Sequence, residues 1–407
     1  MAMPAGRDHA MPVMSMPADH DGTMAGMAMG DGPYAQGSGT SRLPADEGGM
    51  HGVHLAAGDW TVMLHGYAWG VVTDQGGPRG DSGQFVTSMA MAEGERDLGD
   101  RLHLQLRAMG SLDPLMGPRG YPNLFATGEL AHGRPLIDRQ HPHDLAMELS
   151  GRLDYRVGSG SAFLYGGPVA EPALGPSAFM HRASARYLPL APITHHWFDS
   201  THISYGVVTA GWSGPALQLE GSAFRGREPD EHRWNLETPR LDSWSARATW
   251  TPSPHWALQA SHGYLHSPEQ EHPAEDEHRT TVSAHYAAGG VAATLAWSLK
   301  DRAPGPALPA WLGELSWEAG PHHTLFARAE AVANDELFPD PADPRHDRVF
   351  HVAKAEGGYA YRLPLAGPFG LALGGTVAAY VKPAALNDAY GKAPVSWTLF
   401  AKLSLGM

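Results

Sequence analysis

The chain has 407 residues, of which 43% are hydrophobic and 18% charged, with a formal net charge of −14 and a mean hydropathy of −0.30. The acidic balance argues against nucleic acid as a partner. The lack of cysteine excludes disulfides, zinc–thiolate sites and thiol nucleophiles. No run of about eighteen apolar residues occurs, so no transmembrane helix is indicated.

The first region is residues 1–55, rich in Gly, Ala, Met, Pro, Asp and His. It shows neither helical nor strand period and is expected to be a disordered tail. No cationic start followed by an apolar core is visible near its beginning. The sequence is therefore expected to start after a removed signal peptide, or at a misassigned start codon. Nine of the seventeen methionines fall within the first fifty residues. Met14 and Met16, Met24 and Met27, and Met27 and Met29 place thioethers two or three residues apart, with His9 and His20 nearby. Soft thioethers favour Cu(I), and imidazole also suits Cu(II). A low-complexity linker is the alternative reading of the same composition.

From residue 56 to 407 the chain reads as an all-β, transmembrane antiparallel β-barrel of about sixteen strands. The first strand covers Trp60–Val72. Leu102–Ala108 then sets Leu102, Leu104 and Leu106 on one side, with His103, Gln105 and Arg107 on the other. Trp244–Trp250 alternates Trp244, Ala246 and Ala248 with Ser245, Arg247 and Thr249. Val291–Leu299 and Trp397–Leu405 repeat the pattern. Short turns at Gly158–Gly160, Ser213–Pro215, Thr251–Pro254, Ala287–Gly290 and Glu318–Pro321 interleave with long links. Those links are Ser111–Pro142, Pro168–Thr201, Arg227–Leu241, Leu265–Glu277 and Asn334–Arg348. Short turns at one rim and long loops at the other are expected of a barrel in the bacterial outer membrane. The last strand is expected to pair with the first, since an open sheet edge is not tolerated in lipid.

Two loop ends concentrate possible metal ligands. His141, His143 and Asp144 open the fourth strand, while His195, His196, Asp199 and His202 open the sixth. Strands lie about 4.8 Å apart, so the two groups fall within reach of one another. They could form a metal site for zinc, copper or manganese, or a hydrogen-bonded plug pinning an infolded loop to the wall. The acidic loops holding Glu228, Glu231, Glu269 and Glu275 could gather cations, or could simply be solvated beside lipopolysaccharide. Arg107, Arg247, Lys300, Arg328, Glu330, Lys354, Glu356 and Lys402 fall on lumen-facing positions. No phosphate loop or serine-hydrolase elbow is found.

The tail resembles the Met/His-rich periplasmic extension of copper-resistance outer-membrane proteins of the B type, which also precedes a β-barrel. The resemblance implies periplasmic copper handling, with the tail's Met and His residues as ligands. The functional expectation is therefore an outer-membrane barrel that binds or conducts copper ions, its tail in the periplasm. Outer-membrane lipid, lipopolysaccharide, metal ions and the barrel-assembly machinery are the partners that follow. The alternatives are a general porin with an incidental tail, or a lipid hydrolase using Ser200 and His202 at the outer rim.

Overall fold

The computed structural model describes residues 34–48 and 52–406. Sixteen antiparallel strands close into one barrel. In chain order they are β1 (Trp60–Asp74), β2 (Ser82–Asp97), β3 (Leu102–Gly110), β4 (Ala146–Val157), β5 (Gly160–Ala170) and β6 (Ser204–Ser213). There follow β7 (Leu217–Phe224), β8 (Ser243–Ser253), β9 (Trp256–Leu265), β10 (Asp276–Ala288) and β11 (Val291–Ala303). The last five are β12 (Ala307–Glu318), β13 (His323–Asn334), β14 (Phe350–Pro364), β15 (Phe369–Val381) and β16 (Val395–Leu405). Each strand pairs with its sequence neighbour. β16 closes on β1, with Trp397 opposite Asp74 and Leu405 opposite Gly66. Where β16 ends, the short strand Val53–Ala57 takes over the β1 edge from Leu64 to Trp60.

The burial pattern is inside-out relative to a soluble protein. Along β8 the polar Ser243, Ser245, Arg247, Thr249 and Thr251 are buried, while Trp244 and Trp250 are exposed. Polar residues face inward and apolar ones outward, which is the arrangement lipid requires of a spanning barrel. Trp212, Trp250, Trp256 and Trp317 are outward-facing near the short-turn rim, as in an interfacial aromatic girdle. The turn between β10 and β11 is a two-residue hairpin, Gly289-Gly290, with φ of +59° and +79°. Such turns need positive φ at both central positions, which glycine adopts without strain.

The lumen is filled. Inward charges that water would bathe in an open pore are instead enclosed: Arg279 is 0% exposed, Arg328 and Lys300 1%, and Lys354 2%. Three of the described segments contribute to the filling as follows. The β3–β4 and β5–β6 links fold inward, and Leu124, Phe125, Ile193, Trp197 and Phe198 pack against Leu308, Leu312 and Val332 of the wall. The third segment is N-terminal. Tyr34–Gln36 pairs with Arg42–Pro44, and Thr40, between them, is held by Arg247 of β8 (2.9 Å) and by Glu220 of β7. For residues 34–48 and 53–55 the expectation of disorder therefore fails, because this stretch is ordered by the barrel wall rather than by a core of its own.

Candidate metal centre in the barrel lumen

The two His-bearing loop ends are placed by different means. In the β3–β4 link, Tyr121–Pro122 pairs with Arg139–Gln140, and Asp138 ties the hairpin together. Its carboxylate accepts from the Phe125 N–H (2.8 Å) and bridges to Arg79 (2.7 Å). Burial pushes Asp138 up to about 6 against the pull of Arg79. His141 follows directly. In the β5–β6 link, the helical turn His195–Phe198 is bolted to the wall of β11–β13. Thr194 donates its N–H (3.0 Å) and hydroxyl (2.9 Å) to Glu330. The Trp197 indole donates to the Leu308 carbonyl (3.0 Å), and Ser298 donates to the Trp197 carbonyl (2.6 Å).

The histidines then converge. Ring centroids are 5.9 Å apart for His141 and His195, 5.8 Å for His141 and His196, and 5.2 Å for His195 and His196. One ring nitrogen from each lies within 4.8 Å of the others, close enough to share one ion. Glu129, His196 and Glu228 make a second triplet by the same measure, so four other donors surround His196. His202 and His143 continue the chain, with centroids 5.2 Å from His195 to His202 and 5.5 Å from His202 to His143.

Nearly every ring has its Nδ1 committed. His195 Nδ1 meets Asp199 Oδ1 (2.8 Å), His202 Nδ1 the Asp199 carbonyl (2.7 Å), and His141 Nδ1 the Pro142 carbonyl (3.0 Å). His143 Nδ1 meets Asp113 (2.9 Å). The Nε2 atoms of His141, His196 and His202 are buried without hydrogen-bond partners. A ring whose Nδ1–H is held by a carboxylate or carbonyl presents Nε2 to a metal, and this outer shell fixes tautomer and orientation. Burial pushes His141, His195 and His202 below the ordinary imidazole range, which keeps their lone pairs available. For His196 burial also acts downward, but Glu228 and Glu129 outweigh it and raise the group to about 9. Burial raises Glu129 to about 7 against the pull of Arg233. Three imidazoles and two carboxylates form a donor set suited to zinc, Cu(II) or another divalent transition metal. Gly128 is part of the fit: its φ is +104°, and a Cβ there would lie 2.7 Å from His196 Nδ1.

The structure separates the expected ligands into groups. His141, His195 and His196 come together, with His202 and His143 alongside. Asp199 is a positioning residue, spent on His195, on the Phe179 N–H (2.8 Å) and on Arg182 (3.1 Å). Asp144 stands apart and pairs with Arg233 at 3.7 Å. Met14, Met16, Met24, Met27, Met29, His9 and His20 lie outside the described residues. Sequence reasoning did not single out Glu129, and it placed Glu228 and Glu269 in loops that could be solvated. Both loop carboxylates are buried, Glu228 against His196 (3.1 Å) and Glu269 against Lys300. Ser200 and His202 face the lumen, where Arg279 donates to the Ser200 hydroxyl (2.8 Å). A lipid hydrolase needs its nucleophile toward lipid, so that reading loses its geometry.

No protein-family model and no curated protein matches the sequence. Among solved structures the fold is similar to OmpF of Salmonella typhi, solved in complex with daunomycin. That match has 10% identity and a TM-score of 0.54, covering 87% of this chain and 100% of the other. OprB of Pseudomonas putida follows at 11% identity and a TM-score of 0.51, covering 84% and 94%. An anion-selective porin from Comamonas acidovorans gives 12% and 0.50, covering 85% and 100%. At such identities the likeness establishes the fold: a closed barrel of the outer-membrane porin type.

Proposed function

We propose that this chain is an outer-membrane barrel that binds or passes copper in metal homeostasis. The observation that carries the reading is the buried His141/His195/His196 cluster, whose ring nitrogens converge within 4.8 Å. The Nδ1 atoms of His141 and His195 are hydrogen-bonded, while the Nε2 atoms of His141 and His196 are buried without a hydrogen-bond partner. A merely structural plug would hydrogen-bond those nitrogens, since a buried polar atom without a partner costs about 1–3 kcal/mol. The porin-type fold and the lipid-adapted outer face support placement in the outer membrane, with the short-turn rim toward the periplasm. Copper is favoured among the transition metals by the Met/His composition of residues 1–55 and its resemblance to copper-resistance proteins. In this reading the tail captures the ion and the imidazole centre holds it on its way through the lumen.

The test is metal retention by the full chain purified in detergent. After incubation with Cu(II) or Zn(II) and gel filtration, the parent should keep bound metal, with Cu(II) ahead. The double variant His141→Ala/His196→Ala should lose it while keeping the migration shift of a folded barrel on unheated gels. Equal retention by the variant would remove the centre. A protein that retains no metal at all would leave a plugged porin-type barrel as the better reading.

A further inference from the structure

The remaining methionines are not scattered. Of the eight that follow Met50, six meet in one place: Met63, Met89, Met91, Met109 and Met147 are buried together on the inner wall, and Met180 of the plug packs against them. They come from four strands and one loop. Met91 lies directly opposite Met109 across β2–β3, and opposite His65 across β1–β2. Directly opposed side chains have Cβ atoms about 4.5–5.5 Å apart, so thioethers on these positions can share an ion.

Three further features point to a ligand rather than to filler. The strip borders a cavity of about 250 Å³ at the short-turn rim, lined by His65, Tyr67, Met180, His181, Glu47 and Lys402 among others. A smaller pocket of about 40 Å³ shares Tyr67, Met180 and Lys402 with it and reaches Asp113 and His143 at the edge of the imidazole cluster. Met180, which lines both pockets, therefore connects the strip to this route between the rim and that centre. His181, next to Met180, has its Nε2 buried without a hydrogen-bond partner. Finally, Glu93 and Glu148 flank the strip around a single guanidinium, Arg107, at 2.6 Å and 3.7 Å. Two carboxylates against one guanidinium leave one formal negative charge beside a set of neutral thioethers.

We propose that this methionine strip, with His181 at its edge, is a second lumenal metal site that takes one soft monovalent ion, Cu(I) or Ag(I). The proposal deepens the copper reading above and rests on it. Thioethers select soft cations and carry no charge to repel them, and the adjacent net carboxylate neutralises a single positive charge in a water-poor interior. The harder imidazole–carboxylate centre suits a divalent ion, so the two sites divide the lumen by softness. Methionine also fills irregular gaps well, which is the packing role a test must separate.

Ag(I) is the probe, because it matches Cu(I) in charge and softness. The background is the full chain with Met14, Met16, Met24, Met27 and Met29 replaced by Leu, so that the tail's closely spaced thioethers do not contribute. This protein should carry a single Ag(I) through gel filtration. Adding Met89→Leu, Met91→Leu and Met109→Leu should abolish that retention while Zn(II) retention at the imidazole centre stays unchanged. Leu conserves Met volume and is tolerated in packed interiors. As a check that needs no strip variant, methyl-labelled methionine resonances of the background protein should move on Ag(I) addition. Equal Ag(I) retention by the strip variant, or resonances that do not move, would overturn the proposal. Loss of Ag(I) in the strip variant with no Zn(II) bound by either protein would uphold the strip and remove the imidazole centre instead.

Discussion

Four partners converge on Asp199. One carboxylate oxygen orients His195, the other receives the Phe179 N–H and Arg182, and its carbonyl holds His202. Replacing it by Asn keeps the shape but removes the anion that fixes the His195 tautomer. Outer-shell changes of this kind cost about 10–100-fold in metal affinity. Asp199→Asn should weaken Cu(II) or Zn(II) binding by that amount in a chelator-competition titration, with the folded-barrel migration unchanged. An affinity unchanged from the parent would mean that His195 is not a ligand. The convergence of the two histidine runs was legible in the sequence, because both open strands two positions apart in a barrel of known spacing. Glu129 and Glu228 were not legible as partners. Each sits in a different link, and only the docking of those links decides whether a loop carboxylate meets solvent or an imidazole.

At the scale of elements, strands declare themselves and docked segments do not. Alternation along β3, β8, β11 and β16 carries its own evidence, because lipid on one side and polar lumen on the other leave a period of two. Residues 34–48 have no such period. Their order comes from hydrogen bonds to groups far away in sequence, such as Ser38 to Ser177 and Glu171, or the Thr40 carbonyl accepting from Gln218 at 2.7 Å. A composition argument tests whether a segment can bury its own core, and it is silent about a segment that borrows a wall. The methionine strip escaped for a related reason: its members are spread over four strands, and only the pairing register brings them together. Glu171 offers a handle on the docked segment. Burial raises its carboxyl to about 8, above the effects of Arg247 and Ser38 that lower it. The free chain would ionise it near 4.3, so protonation favours the docked state. That stabilisation is complete below about 4 and fades as pH rises through 8. Hydrogen exchange of residues 34–48 should therefore accelerate, beyond its intrinsic pH dependence, between about pH 5 and 8 and level off above that, and Glu171→Gln should flatten that extra rise. An identical pH profile in both proteins would show that Glu171 does not hold the segment.

The whole molecule is a porin-type wall around a filled lumen, and Arg182 is one of the side chains that tie the two together. Arg182 of the plug donates twice to Glu314 of β12, at 2.8 Å and 2.9 Å, and also to Asp199 and the Ser177 carbonyl. Glu314 in turn meets Arg328 of β13 at 3.1 Å, and Arg328 donates to the Leu190 carbonyl of the plug. The network thus clamps the β5–β6 link to the wall at two points, Arg182 and Leu190. Removing Arg182 leaves Glu314 with Arg328 as its one remaining cationic partner, so the cost stays below the roughly 3–5 kcal/mol of a fully unpaired buried charge. The wall does not depend on it, since every strand keeps both neighbours and β16 still closes on β1. The penalty must therefore fall on the plug. In planar bilayers the parent should pass little current, because its lumenal charges are enclosed. Arg182→Ala should show discrete, larger conductance steps as the link leaves the lumen, with the barrel still folded on unheated gels. A parent that already conducts like an open porin would contradict the filled lumen, and a variant as silent as the parent would place the clamp elsewhere in the plug.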